Sequence, residues 1–427
     1  MDNKKYNRRN FLKISGLTTM GSLLTHRLPA NNKHIHSVVN QETIPVNTPQ
    51  NRIAEIMKIK LVSKEPGKYL IIGQSIDENG HPKATEPFIE PNRYLGWPSI
   101  TKTVEGELLI VYSGDRDSHV CPWGKTRLIR SSDNGKTWSE PETVNNSPLD
   151  DRDAGIIQTY KGTLIVSWFT SLAYANPNWK WAYQKYARVA EKIPEELKRY
   201  WLGNWVRRSE DRGKTWLEPS RTVSSAPHGP IQLRDGRLLY VGTGSWEDTE
   251  SIVVEESKDD GISWQVISTI PTTTGKNARN MYEPHVVELK SGKLVALVRN
   301  EPEDREKCFL LQSESYDGGK TWTVLHETPI WGYPPHLLEL DNGWLLVVYG
   351  HRRPPYSERA CISRDEGKTW DTKNEITLAE AFNGDLGYPA STQLDDGSIL
   401  TVFYQQENQG EPTSVFTAHW KLKQGDS

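Results

Sequence analysis

Side chains able to grip and react with a polar ligand recur in short segments flanking the apolar runs of this chain. Six precede such runs: Arg93-Tyr94-Leu95-Gly96-Trp97-Pro98, Asp150-Asp151-Arg152-Asp153, Pro227-His228-Gly229, Tyr282-Glu283-Pro284-His285, Tyr333-Pro334-Pro335-His336 and Asp385-Leu386-Gly387-Tyr388-Pro389. Three follow them: Asp115-Arg116-Asp117-Ser118-His119, Arg299-Asn300-Glu301 and His351-Arg352-Arg353, with Arg359 beyond. Arginine suits an oxyanion because its planar fork donates two parallel hydrogen bonds. Carboxyl and imidazole groups move protons when their pKa lies near the working pH. Charges gathered around a narrow channel are costly to desolvate unless they pair or meet a ligand. The set reads as a site for a polar, anionic, sugar-like ligand, with a solvated rim of internal salt bridges as the bland alternative. His228, His285 and His336 lack any close ligand pair in sequence, so hydrogen-bonding histidines are expected rather than a metal site. No metal or organic cofactor is implied.

These residues need a frame that gathers them, and two repeats supply it. Five copies of Ser-x-Asp-x-Gly-x-Thr/Ser-Trp stand at Ser131–Trp138, Ser209–Trp216, Ser257–Trp264, Ser315–Trp322 and Ser363–Trp370. A unit recurring at about fifty residues marks a repeat architecture. The Asp can fold back onto its own turn, the Gly can take positive φ, and the Trp offers an apolar face to the next repeat. In step with these, six apolar stretches are each broken by a Gly turn, at Gly106, Gly162, Gly236, Gly292, Gly343 and Gly397. Each reads as a β-hairpin. Two hairpins per unit and six units predict an all-β, six-bladed β-propeller.

The gap between Gly162 and Asp211 holds an extra segment in blade two with helix-favouring stretches and Trp179, Trp181, Tyr183, Tyr186, Tyr200, Trp201 and Trp205. These aromatics either anchor a partly helical insertion or stack on sugar rings. Blade six lacks an Asp motif, and the run Lys68-Tyr69-Leu70-Ile71-Ile72-Gly73 is expected to complete it and close the ring.

The 427 residues carry a net charge of −3, which leaves no electrostatic footprint for nucleic acid. Three cysteines are too few for a disulfide framework. The N-terminal Asn7-Arg8-Arg9-Asn10-Phe11-Leu12-Lys13 precedes an apolar run, Ile14 to Leu24, too short to span a bilayer. It resembles a twin-arginine export signal. The expected organisation is a signal at 1–30, a linker at 31–67 and the propeller at 68–422. A periplasmic or secreted location follows, with the export machinery as a partner of the leader.

Asp motifs on a six-bladed frame resemble the sialidase (neuraminidase) superfamily over essentially residues 68–422. Glu283 to Arg299 is similar to that family's segment in which a Glu partners the catalytic Tyr and an Arg grips the substrate carboxylate. Tyr388 resembles the family's nucleophilic Tyr, and Arg359 matches its third carboxylate-binding Arg. The resemblance places an acid/base Asp on the loop after the first hairpin, where Asp115, Asp117 and His119 all stand. It places a first clamp Arg two residues before a Pro, where this chain has Gly96; Arg93 lies three residues away.

The resemblance implies an exported exo-glycosidase that hydrolyses a terminal acidic sugar, a sialic acid, from glycans with retention. Tyr388 attacks, Glu283 activates it, Asp117 or His119 protonates the leaving group, and Arg299 and Arg359, with Arg93, hold the carboxylate. Asp153, His228 and Trp97 complete the expected substrate contacts. A tyrosine suits this task because an anomeric carboxylate would repel Asp or Glu. Gly96 keeps open a glycosidase or polysaccharide lyase acting on a uronic or deoxy sugar. A non-catalytic glycan-binding propeller is the third reading.

Overall fold

The second strand of each repeat is an almost unbroken apolar run, as in Leu108–Arg116, Leu164–Ser171, Leu294–Asn300 and Leu345–His351, and it is buried nearly throughout. Runs of that kind need cover on both faces. The computed structural model, which describes residues 51–67, 75–76, 82–83, 92–176, 186–273 and 278–423, provides it by stacking sheet against sheet. Six antiparallel sheets form a six-bladed β-propeller. Their first strands lie innermost: Tyr94–Lys102, Asp150–Gln158, Ile231–Gln232, Met281–Glu288, Pro335–Glu339 and Gly387–Gln393. Blade three splits its inner position, with Ser224–Ser225 and Ile231–Gln232 both pairing with Leu238–Trp246.

The six hairpin glycines have φ between +80° and +90°, and each N–H bonds the carbonyl three residues back. A Cβ there would meet nothing within 4 Å, so backbone conformation alone requires glycine. The glycines of the Asp motifs differ. A Cβ on Gly261 would lie 2.7 Å from Ile165 Cδ1 of the preceding blade, and one on Gly135 would lie 3.1 Å from Leu400 Cδ2 of blade six. Each motif turn is therefore pressed against its neighbour.

The motif is held by its own hydrogen bonds. In blade two, Ser209 Oγ donates to Asp211 Oδ1 at 2.8 Å, while the Thr215 N–H and hydroxyl donate to the same carboxylate at 2.8 and 2.6 Å. Those Thr215 and Ser209 bonds hold the Asp211 carboxyl down at about 2. The motif tryptophans pack into apolar clusters bridging adjacent blades: Trp138, Trp216, Trp264, Trp322 and Trp370. Between blades five and six the fully buried Trp420 takes that place, against Leu346, Val348 and Phe416.

Closure departs from the sequence reading. Ala54–Ser63 pairs antiparallel with Thr413–Leu422, from Ala54 opposite Leu422 to Ser63 opposite Val415, and completes blade six. The propeller thus starts inside the segment expected to be a linker. The run at 68–73 lies outside the described residues, as do the expected signal at 1–30 and Trp179, Trp181 and Tyr183. Blade two carries the partly helical insertion, with helices at Ala187–Glu191 and Glu195–Trp201. There Trp201 and Trp205 pack on each other and on the Trp168 cluster, so these aromatics anchor the insertion. Cys121, Cys308 and Cys361 are buried free thiols. No helix among the described residues is long and apolar enough to cross a membrane.

Candidate active site

One backbone device repeats at the inner strands. Trp97, Asp153, His228, Glu283 and Tyr388 have φ of 54°, 51°, 72°, 50° and 50°. Four of them sit in register shifts: Gly96/Ser99, Arg152/Gly155, Tyr282/His285 and Gly387/Ala390. Left-handed conformations at residues other than glycine cost about 1–3 kcal/mol each and cluster at functional sites. Bulges re-aim side chains. Here they turn one side chain toward the hub in each of blades one, two, four and six, and Pro98, Pro284 and Pro389 follow immediately, lacking the N–H that a regular ladder would use.

The result joins residues far apart in the chain. The Tyr388 hydroxyl donates to Glu283 Oε1, and Arg299 Nη1 donates to Glu283 Oε2 at 2.5 Å. Arg299 also binds Glu301 and lies 4.3 Å over the Tyr333 ring. Burial, with Glu283 and Asp153 nearby, pushes the Tyr388 phenol well above its ordinary pKa. The phenol thus keeps its proton until a base takes it, and Glu283 is the base in contact.

Around Tyr388 the walls are aromatic and cationic. Tyr94, Trp97, Tyr388 and Tyr404 form one buried cluster. Arg352 lies 5.5 Å over the Tyr388 ring, and its Nη2 donates to Tyr404 Oη at 3.3 Å. Gly387, at φ +123°, makes room for it, since a Cβ there would sit 3.1 Å from Arg352 Nη2. His119 stands edge-on to Trp97 at 5.0 Å, and its Nδ1 lies 2.9 Å from Tyr94 Oη. Tyr94 has one hydroxyl proton and gives it to Asp385 at 2.8 Å, so His119 Nδ1–H is the donor to Tyr94. That tautomer leaves Nε2 for proton transfer. Burial, with Arg152 beside it, pushes the imidazole below its usual pKa, against the pull of Asp385.

Asp153 is buried beside Glu283. With Phe169, Asn204, Tyr282 and Arg299 these two carboxyls line a cleft of ≈ 330 Å³ across blades two to four. Burial raises the Asp153 carboxyl to about 7, with Arg152 opposing and Glu283 adding to the rise.

Three expected placements change. Arg93 is held by Asp117 at 2.7 Å and by Asp115, so it does not join Arg299. Asp117 in turn accepts from Trp123 at 2.8 Å, and its side chain is almost fully buried. Arg359 bonds Ser357 and Glu375, and Arg352 is the blade-five guanidinium that reaches Tyr388. Arg352 stood in view as the first residue beyond its strand.

His228 packs with His285 and His336 in a buried hub cluster, at ring separations of 5.7 and 5.0 Å respectively. Burial pushes all three down, His285 to about 3, so they stay neutral. His285 Nδ1 accepts from the Leu337 N–H. Among the described residues no group of three His, Cys, Asp or Glu has a geometry that could hold a metal ion.

Known proteins share this frame. A family described as a BNR repeat-like domain matches residues 181–401. A Bacteroides fragilis sialidase is 24% identical over 343 residues, covering 72% of this chain and 59% of its own length. Acetivibrio thermocellus xyloglucanase Xgh74A is 26% identical over 200 residues, covering 40% of this chain and only 21% of itself. The chain therefore spans a fifth to three fifths of these relatives. Among solved structures, a protein of unknown function from Dyadobacter fermentans superimposes with TM-score 0.66 at 21% identity, over 87% of this chain and all of that one. The NanB sialidase of Streptococcus pneumoniae does so with TM-score 0.55 at 14% identity, over 83% and 70%. The matched repeat covers more than half of the sequence, and the chain belongs to the BNR repeat-like domain family as a sialidase-like six-bladed propeller.

Proposed function

We propose that this protein is a retaining exo-glycosidase that removes a terminal acidic sugar from glycans, with sialic acid the leading substrate. The observation that carries this reading is the Tyr388–Glu283–Arg299 chain of hydrogen bonds beside a second arginine, Arg352. The Tyr388 oxygen attacks the anomeric carbon as the bond to the leaving oxygen breaks. The phenol proton passes to Glu283, and His119, when protonated, gives its Nε2 proton to the leaving oxygen. Water then attacks the anomeric carbon as the bond to the Tyr388 oxygen breaks; Glu283 returns its proton to that oxygen, His119 Nε2 takes the proton of the water, and two inversions give net retention. Arg352 and Arg299 face the substrate's negative charge. The sialidase, xyloglucanase and similarly folded relatives support glycoside hydrolysis, and the leader supports export.

Gly96 favours a second reading. A Cβ there would lie 3.2 Å from Tyr94 Cε1, so Tyr94 and Tyr404 fill the space a clamp arginine would need. A uronic-acid glycoside, cleaved by hydrolysis or elimination, fits that change. Release of aryl alcohol from sialyl and glucuronyl aryl glycosides decides the sugar, and the first-formed anomer by NMR decides the stereochemistry. An unsaturated, ultraviolet-absorbing product means elimination. Tyr388→Phe should lower kcat by about 10³-fold or more. Turnover surviving in both Tyr388→Phe and Glu283→Ala would refute these roles.

A further inference from the structure

Two guanidinium groups flank the buried Trp97 ring, and only one of them is neutralised. Arg116 lies 4.7 Å from the ring centroid and makes a bidentate bond to Asp150 at 2.6 and 3.0 Å, both side chains being fully buried. Arg152 lies 4.4 Å from the same ring and 5.8 Å from Phe169, is 9% exposed, and has neither a hydrogen bond nor an ion pair among the described residues. Its Nε is buried without a partner. Its sequence neighbour Asp153 and its cross-strand neighbour Phe169 both line the blade-two side of the cleft. A desolvated, unpaired cation is a standing cost to the fold, and such a group persists where an anion completes it.

We infer that Arg152 is an anion-binding residue of this site, receiving the carboxylate of an acidic sugar from the blade-two side. The inference rests on the glycan reading above and deepens it. It supplies from blade two the charge that Gly96 cannot supply from blade one. Trp97, held at φ +54° between the two arginines, sets the height of the Arg152 fork and joins it to Tyr388, whose ring lies 6.3 Å away.

The test uses the full chain carrying Arg152→Met or Arg152→Lys, with calorimetry at pH 5, where Asp153 carries its proton. The probes are 2,3-didehydro sialic acid, glucuronic acid and their methyl esters. Arg152→Met should weaken the better-bound acid by about 10- to 100-fold and leave its ester unchanged. Arg152→Lys should recover part of the loss. Because the cation is unpaired, Arg152→Met should also raise Tm. A staple acting only through its contact with Trp97 would lower it. Affinity for the acid within twofold of wild type in Arg152→Met, or no preference for acid over ester in the wild type, overturns the inference. Tyr388→Phe separates the two readings. Acid binding lost in Arg152→Met with turnover intact in Tyr388→Phe leaves the anion site standing and removes the catalytic assignment.

Discussion

Tyr388 and Glu283 meet because each sits on a left-handed bulge of its own blade, and their proton chemistry follows from what surrounds them. His119 must be protonated to act as an acid, and its pKa is pushed below its ordinary value near 6.5. The alkaline limb of kcat/KM, set by this acid, should therefore lie below pH 6.5, with activity falling as pH rises through it. A pH profile of His119→Gln lacking that limb would support the assignment, and an unchanged profile would remove it. Asp153 gives a separate stability signature. It keeps its proton to about 7 in the fold but releases it near its ordinary value of 3.8 when unfolded. Between those values the folded state binds more protons, so this group's contribution to stability falls as pH rises. Asp153→Asn should accordingly raise Tm at pH 8 and change it little at pH 4. Equal shifts in thermal melts at the two pH values would contradict the raised pKa.

At the scale of elements, the Asp motif is a turn that pins one blade to the one before it. Gly261 combines φ +82° with a 2.7 Å approach of its would-be Cβ to Ile165. Gly261→Ala should cost about 1–3 kcal/mol in chemical denaturation, through both strain and overpacking. Gly292→Ala, with nothing within 4 Å of its Cβ, should show the strain component alone and cost less. These turns were plain in the sequence because each is built from five residues in one short segment. The bulges were not, because positive φ at Tyr388 or Glu283 leaves only a faint mark, a proline directly after. Arg352 and Arg359 show the same limit, since both flank blade five and only packing separates them. Arg359 turns to Glu375, while Gly387 admits Arg352 to the tyrosine.

The whole molecule depends on closing a ring. Strand Ala54–Ser63 covers the edge of Thr413–Leu422, and Trp420 lies beneath it in the seam between blades five and six. Deleting residues 1–63 should lower Tm and promote association, because an uncovered edge strand offers unpaired N–H and C=O groups to other chains. Thermal melting with light scattering would show both effects, and unchanged behaviour would mean that another segment closes the ring. Trp420→Ala, by emptying that seam, should cost about 3–5 kcal/mol.

Local repetition let the sequence alone determine the blade count, the hairpin turns, the Asp motifs and the insertion in blade two. Those features are short-range, and each writes its own residue types. It also marked Tyr388, Glu283 and Arg299, through their places at the ends of the hairpin strands and a family resemblance. Only the tertiary structure decided which strand closes the ring, that Arg93 and Asp117 neutralise each other, and that Arg352 lies over Tyr388 and Arg152 over Trp97. Every polar side chain near the hub has several partners within reach, and the choice among them is made by packing between blades distant in sequence.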